Sequence, residues 1–181
     1  MPRQDCSNLA TLAMPESACM AVAIASIETF PRESMGALFS LGRAKVRKAA
    51  RVSFAVPFQS ARRGERWCWS KSSTKMARVL GGGRWRKLAD FHSHTHRRTE
   101  LPCADPSEED LEDMSVGEME LVVAIVPTAP GPTSWSSRGK NITGKVAGFR
   151  FIMKAWVKRR GMNARFELNR DQVGLELEEG R

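Results

Sequence analysis

An α/β domain is what this 181-residue sequence predicts, and three observations predict it. Segments with strand character alternate with segments of helical character along the chain. The hydrophobic fraction, 41%, is enough to bury one sizeable core at this length. The chain shows no internal repeat and no apolar run long enough to cross a bilayer. One domain over residues 15–168 follows, with an N-terminal segment, 1–14, before it and a polar, acidic tail, 169–181, after it.

Each element has a local reason. Pro15-Glu16-Ser17 has the proline and acid that suit a helix start, Ala18 to Ile27 supplies the small and apolar body, and Pro31 marks the end. Glu33 to Ser40 reads as a buried strand, 43–51 as a basic turn, and Val52, Phe54 and Val56 alternate as in a half-buried strand. Ser73 to Leu80 reads as a short helix closed by Gly81-Gly82-Gly83, a C-cap and not a phosphate cradle because no P-loop Lys-Ser/Thr follows. Residues 85–92 form a strand, Pro106 to Val116 a helix, and Met119 to Pro127 a strongly apolar strand. The Pro-, Gly- and Ser-rich stretch 128–140 reads as a surface loop, with Asn141 to Val157 and Ala164 to Leu168 as late strands.

Charge is unevenly placed. Residues 43–98 carry sixteen Lys and Arg against Glu65 and Asp90, whereas residues 100–120 carry nine acids and no base. With a net charge of +9, nucleic acid or an acidic partner enters consideration, but no nucleic-acid motif accompanies the charge, and a solvated basic surface is the preferred reading. Salt dependence of binding would separate the two. Cys6, Cys19, Cys68 and Cys103 form no C-x-x-C pair and no secretory signal is evident, so a reducing, cytoplasmic setting without membrane association is expected.

All three histidines, His92, His94 and His96, fall within five residues. Side chains at x and x+2 of a strand share a face about 6.5–7 Å apart, near enough for one metal ion. A zinc site needs at least one more protein ligand, and a hydrolytic one keeps its fourth position for water. Downstream, Ser107 and Asp110 stand three apart, on one face of a helix. His96 enters the Arg97-Arg98 loop and reads as an exposed or substrate-side residue. Ser93 points to the opposite face of the strand and reads as structural, and Cys103 as a free, exposed thiol.

The motif His92-Ser93-His94, followed by Ser107-Glu108-Glu109-Asp110 and preceded by Glu33-Ser34-Met35-Gly36-Ala37-Leu38, resembles that of the JAMM (MPN+) zinc metalloproteases. The resemblance spans about residues 15–127. It implies an MPN-type fold, a mixed curved sheet flanked by helices and related to cytidine deaminases. It implies one zinc per chain on His92, His94 and Asp110, Glu33 as the general base, and Ser107 as hydrogen-bond donor to the tetrahedral oxyanion. It further implies hydrolysis of a peptide or isopeptide bond, with a ubiquitin-like modifier or its conjugate as the substrate.

This chain departs from the family by Thr95 where a proline is usual and by a longer loop from His94 to Asp110. Asp105 stands at the usual spacing and is the alternative ligand, although Pro102 takes the place of its serine and N-capping before Pro106 gives it another job. Glu28 is the alternative base. The other function class is a metal-free, MPN-like protein-binding scaffold. PHP-type phosphoesterases need further histidines, and nucleobase deaminases need His-x-Glu and Pro-Cys-x-x-Cys; both are absent from the sequence.

Overall fold

A computed structural model describes residues 6–41, 48–59, 62–65, 68–69, 85–159 and 170–178. The expected helix at Ser73 to Leu80 and strand at Ala164 to Leu168 lie outside these residues. The elements run β1 (Thr11–Pro15), α1 (Glu16–Thr29), β2 (Met35–Leu41), β3 (Ala49–Arg51), β4 (Phe54–Pro57), β5 (Arg62–Arg63), β6 (Cys68–Trp69) and β7 (Trp85–Thr95). They continue with α2 (Glu108–Asp113), β8 (Met119–Pro127), β9 (Ser134–Arg138), β10 (Asn141–Val146), β11 (Phe149–Lys158) and β12 (Arg170–Glu178).

The expectation of an α/β, MPN-type domain with helices flanking the sheet is corrected. Strands dominate, and the described residues hold two helices and a separate β5–β6 pair beside one curled, mixed half-barrel sheet of ten strands. Its order is β3-β1-β12-β11-β8-β7-β2-β4, with β10 and then β9 added beside β11. β7 and β8 pair in parallel, as do β1 with β12 and with β3, while β2–β7, β8–β11 and β11–β12 are antiparallel. Strands also form in segments that composition marks as loop or tail.

Two of those segments show the cause. Residues 170–178 were expected as a polar tail, yet β12 lies inside the sheet between β1 and β11. Val173 and Leu175 are fully buried at alternate positions, while Glu176 and Glu178 fall on the opposite side of the strand. Within 128–140, expected as a loop, β9 pairs with β10, and Trp135 covers Gly144, where a Cβ would lie 2.2 Å from the indole. Thr11–Pro15, at the end of the N-terminal segment, is likewise a strand, β1. The β10–β11 hairpin turns through Ala147 and Gly148, both with positive φ, which matches the twist of the strands it joins.

The main core lies on one face of this sheet. Ala18, Cys19, Val22 and Ala23 of α1 pack there against Leu38, Phe91, Leu121, Val123 and Ile125. Residues of opposite parity on the same strands, His92, His94, Val122 and Ala124, face the other way. That second face is covered by the connection after β7, whose Ala104 is buried against Val122 and Ala124 and whose carbonyl accepts from Trp156 Nε1 at 3.0 Å. The connection thereby carries α2 back across the sheet to the histidines.

Candidate metal centre

β7 and β2 are antiparallel neighbours in which Met35 faces His92. Continuing that register sets Ser34 beside Ser93 and Glu33 beside His94, and the pairing is locked by hydrogen bonds. Ser93 N–H donates to the Ser34 carbonyl at 2.9 Å, and Ser34 N–H donates to Ser93 Oγ at 2.8 Å. Ser26 of α1 lies 2.9 Å from Ser34 Oγ and donates to the Val22 carbonyl. All three serines are buried, so this hydroxyl chain satisfies its own polar atoms while tying helix, base-bearing segment and ligand strand together. The expected structural role of Ser93 agrees with this arrangement.

His92, His94 and Asp110 form a group that could hold a metal ion. His92 Nε2 and His94 Nε2 are 2.9 Å apart, and each is 3.4 Å from Asp110 Oδ2. A tetrahedral ion with bonds of about 2.0–2.1 Å requires ligand atoms about 3.3–3.4 Å apart, so two edges of the triangle meet the requirement and the third is slightly tight. Asp105, the alternative ligand, is elsewhere: its Oδ1 accepts from Lys154 Nζ at 2.7 Å. Asp110 therefore occupies the position that spacing left open.

Asp110 reaches the histidines because Ser107 caps α2. Ser107 Oγ accepts from Asp110 N–H at 3.1 Å, and Asp110 Oδ2 accepts from both the Ser107 N–H and its hydroxyl at 2.7 Å, a reciprocal capping box. The helix starts here and not at the expected Pro106, and Asp105 does not serve as its N-cap. The Ser107 hydroxyl proton is committed to the carboxylate, so in this structure the residue orients Asp110 instead of pointing a free donor at an oxyanion. Burial works against the Asp110 carboxylate, but the hydrogen bonds from His92 and His94 outweigh it and hold the group well below the usual carboxylate range.

One residue of the site was missed in the sequence: Glu120. On β8 it faces Asp90, on the same side as the histidines, and its Oε1 lies 2.8 Å from His92 Nδ1. A carboxylate on the far nitrogen fixes the ring and its tautomer, leaving Nε2 for an ion, as outer partners of metal-bound histidines do. Burial disfavours the His92 imidazolium, yet Glu120 and Asp110 together raise its pKa well above the ordinary value. Only the parity of Glu120 in an otherwise apolar strand signals it in the sequence, and the parallel β7–β8 pairing gives that parity a meaning.

Glu33, Ser107 and the three candidate ligands line one cleft of about 1140 Å³. Glu33 is 6% exposed, and its N–H donates to the Gly64 carbonyl. The alternative base, Glu28, lines a separate hollow beside α1 and is not brought to the ligands. His96 also stays off them: its N–H donates to the Ile125 carbonyl, and its Nε2 accepts from Cys103 N–H at 3.2 Å, closing the loop.

No protein-family model matches this chain, and no curated protein matches its sequence. The fold, however, has a solved counterpart. The solution structure of protein DSY2949 from Desulfitobacterium hafniense is similar with a TM-score of 0.56 and 17% identity, over 93% of this chain and 94% of that one. That likeness is one of fold alone. Among the described residues, no helix is long and apolar enough to cross a membrane.

Proposed function

We propose that this chain is a zinc-dependent hydrolase of peptide or isopeptide bonds whose site, though not its fold, is of the JAMM type. The observation that supports it best is convergence. Glu33, the His92/His94 pair and Asp110 come from three separate segments, and all line one cleft with the ligand atoms at metal-binding separations. The donor set of two imidazoles and one carboxylate suits zinc, with one position left over. The alternative, a metal-free scaffold, gives no reason for a half-buried glutamate on the far nitrogen of His92.

Zinc in that set supplies Lewis acidity toward a carbonyl and brings the pKa of water near 7. The chain's own residues do the rest. Glu33, beside His94 in the register, removes a proton from the attacking water and returns it to the leaving amine. Ser107 holds Asp110 in place, and Glu120 holds His92. A protein substrate, a ubiquitin-like modifier or its conjugate, belongs to this reading, as does a reducing, cytoplasmic setting, which suits the free thiols of Cys6, Cys19 and Cys103.

Glu33→Gln tests the chemistry. It should lower kcat on a cleavable peptide or modifier conjugate by roughly 10²- to 10⁴-fold while zinc content stays unchanged. Equal turnover by the variant would remove Glu33 from the mechanism. Glu120→Gln should weaken zinc binding by about 10- to 100-fold in competition with a chromogenic chelator. Unaltered affinity there would reduce Glu120 to a packing residue.

A further inference from the structure

The lining of the cleft is acidic far beyond what its chemistry needs. Ten of the chain's 20 Asp and Glu line it, and none of the 29 Lys and Arg does so among the described residues. Four of the ten have work already: Asp110 and Glu33 in the site, Glu120 on His92, and Asp90 in an ion pair with Lys87. The other six, of which Glu100 and Glu118 accept from the Arg97 and Ser115 N–H groups, come from four different parts of the chain. Glu65 comes from the β5–β6 connection, Glu100 from the loop after β7, Glu108, Glu109 and Asp113 from α2, and Glu118 from the turn before β8.

Helix electrostatics account for only part of this. Acids in the first turn of α2 complement its dipole, which explains Glu108 and Glu109. Asp113 stands in the last turn, where a carboxylate is unfavourable, and Glu65 and Glu100 belong to no helix. Glu65, Glu108, Glu109 and Asp113 are exposed and have no basic partner among the described residues. The charge of the whole chain, +9, would repel a cation at long range. Screening confines that repulsion to roughly 8–10 Å at physiological salt, so within the cleft the local carboxylates decide. Leu101, 93% exposed at the rim, adds an apolar contact suited to the aliphatic stem of Lys or Arg.

We infer that the cleft selects a cationic peptide segment: the substrate carries Lys or Arg beside the bond presented to His92, His94 and Asp110. This rests on the reading of the cleft as a substrate site and names the class of substrate it takes. An acidic segment, or a nucleic acid, would meet like charge along the described lining.

The test compares three fluorescently labelled peptides of equal length, flanked by Lys/Arg, Gln or Glu, bound to zinc-loaded Glu33→Gln protein and read by anisotropy. The Lys/Arg peptide should bind at least about tenfold more tightly than the Gln peptide at low salt and lose that advantage as salt rises. Each exposed carboxylate removed should cost about two- to fivefold, so Glu108→Gln/Glu109→Gln/Asp113→Asn should weaken binding by about tenfold or more. Glu65→Gln, away from the helix, should weaken it in the same direction and guards against a folding defect in the triple variant. Equal or tighter binding of the Gln or Glu peptide, no binding of any peptide, or indifference to all four substitutions would overturn the inference. Cleavage of the same peptides by the unaltered chain separates the two ideas. Charge-selective binding without cleavage sinks the hydrolase and leaves the selectivity, whereas cleavage without charge preference does the reverse.

Discussion

Asp110→Ala is expected to take zinc from about one per chain to almost none, with His92→Ala doing the same, by elemental analysis of purified protein. The triangle His92 Nε2, His94 Nε2, Asp110 Oδ2 has two edges of 3.4 Å, and removing one corner leaves two neutral or cationic ligands and no negative charge. Loss of a direct ligand should exceed the roughly 10- to 100-fold expected for an outer partner such as Glu120. Asp105→Ala is the control. Its carboxylate is held by Lys154 in a partly exposed pair worth about 0–1 kcal/mol, so zinc should stay and stability should barely move. Zinc retained without Asp110 but lost without Asp105 would invert the ligand assignment. Zinc absent from the unaltered chain after reconstitution would move the function to a metal-free scaffold.

Gly36→Ala should destabilise the fold and damage the site together. A Cβ at this position would lie 2.3 Å from Phe91 Cε1 and 2.4 Å from the Val56 carbonyl oxygen, well inside van der Waals contact on both sides. Phe91 is fully buried in the main core, and the carbonyl belongs to β4, so neither neighbour gives way cheaply. Overpacking of this kind costs about 1–3 kcal/mol, and two rigid obstacles place the expectation at the upper end. For a chain of this size that is a fall in Tm of roughly 6–12 °C. The shift falls on the β2–β7 pair, the register of which sets Glu33 beside His94, so hydrolysis should decline more than the remaining folded fraction accounts for. A thermal melt within 1 °C of the unaltered chain, together with undiminished turnover, would show that the strands part without cost.

Much of the site was legible before any fold was known, because ligands on one strand obey a period of two and a capped helix obeys a spacing of three. His92 and His94 share a face for that reason, and Ser107 and Asp110 stay in contact through a local capping box. The strands β2, β7 and β8 were legible too, since their apolar residues leave no other way to be buried. Glu120 was not, because its role depends on a parallel neighbour 28 positions away, and nothing local marks one acid in an apolar strand as the partner of a histidine.

The sequence by itself determined the chemistry on offer: a two-histidine strand, a carboxylate on a short helix, an upstream glutamate, and a basic chain with nine of its 20 acids gathered in residues 100–120. Tertiary structure decided three things that spacing left open. It chose Asp110 over Asp105, because Ala104 anchors the loop on Val122 and Ala124 and Lys154 draws Asp105 aside. It turned part of the Pro-, Gly- and Ser-rich stretch and residues 170–178 into strands, because neighbouring strands offer backbone partners that satisfy N–H and C=O groups whatever the outward side chains are. And it replaced a helix-flanked α/β domain with a curled β-sheet, because pairing partners far apart in the chain, which no local pattern encodes, fix how strands are ordered.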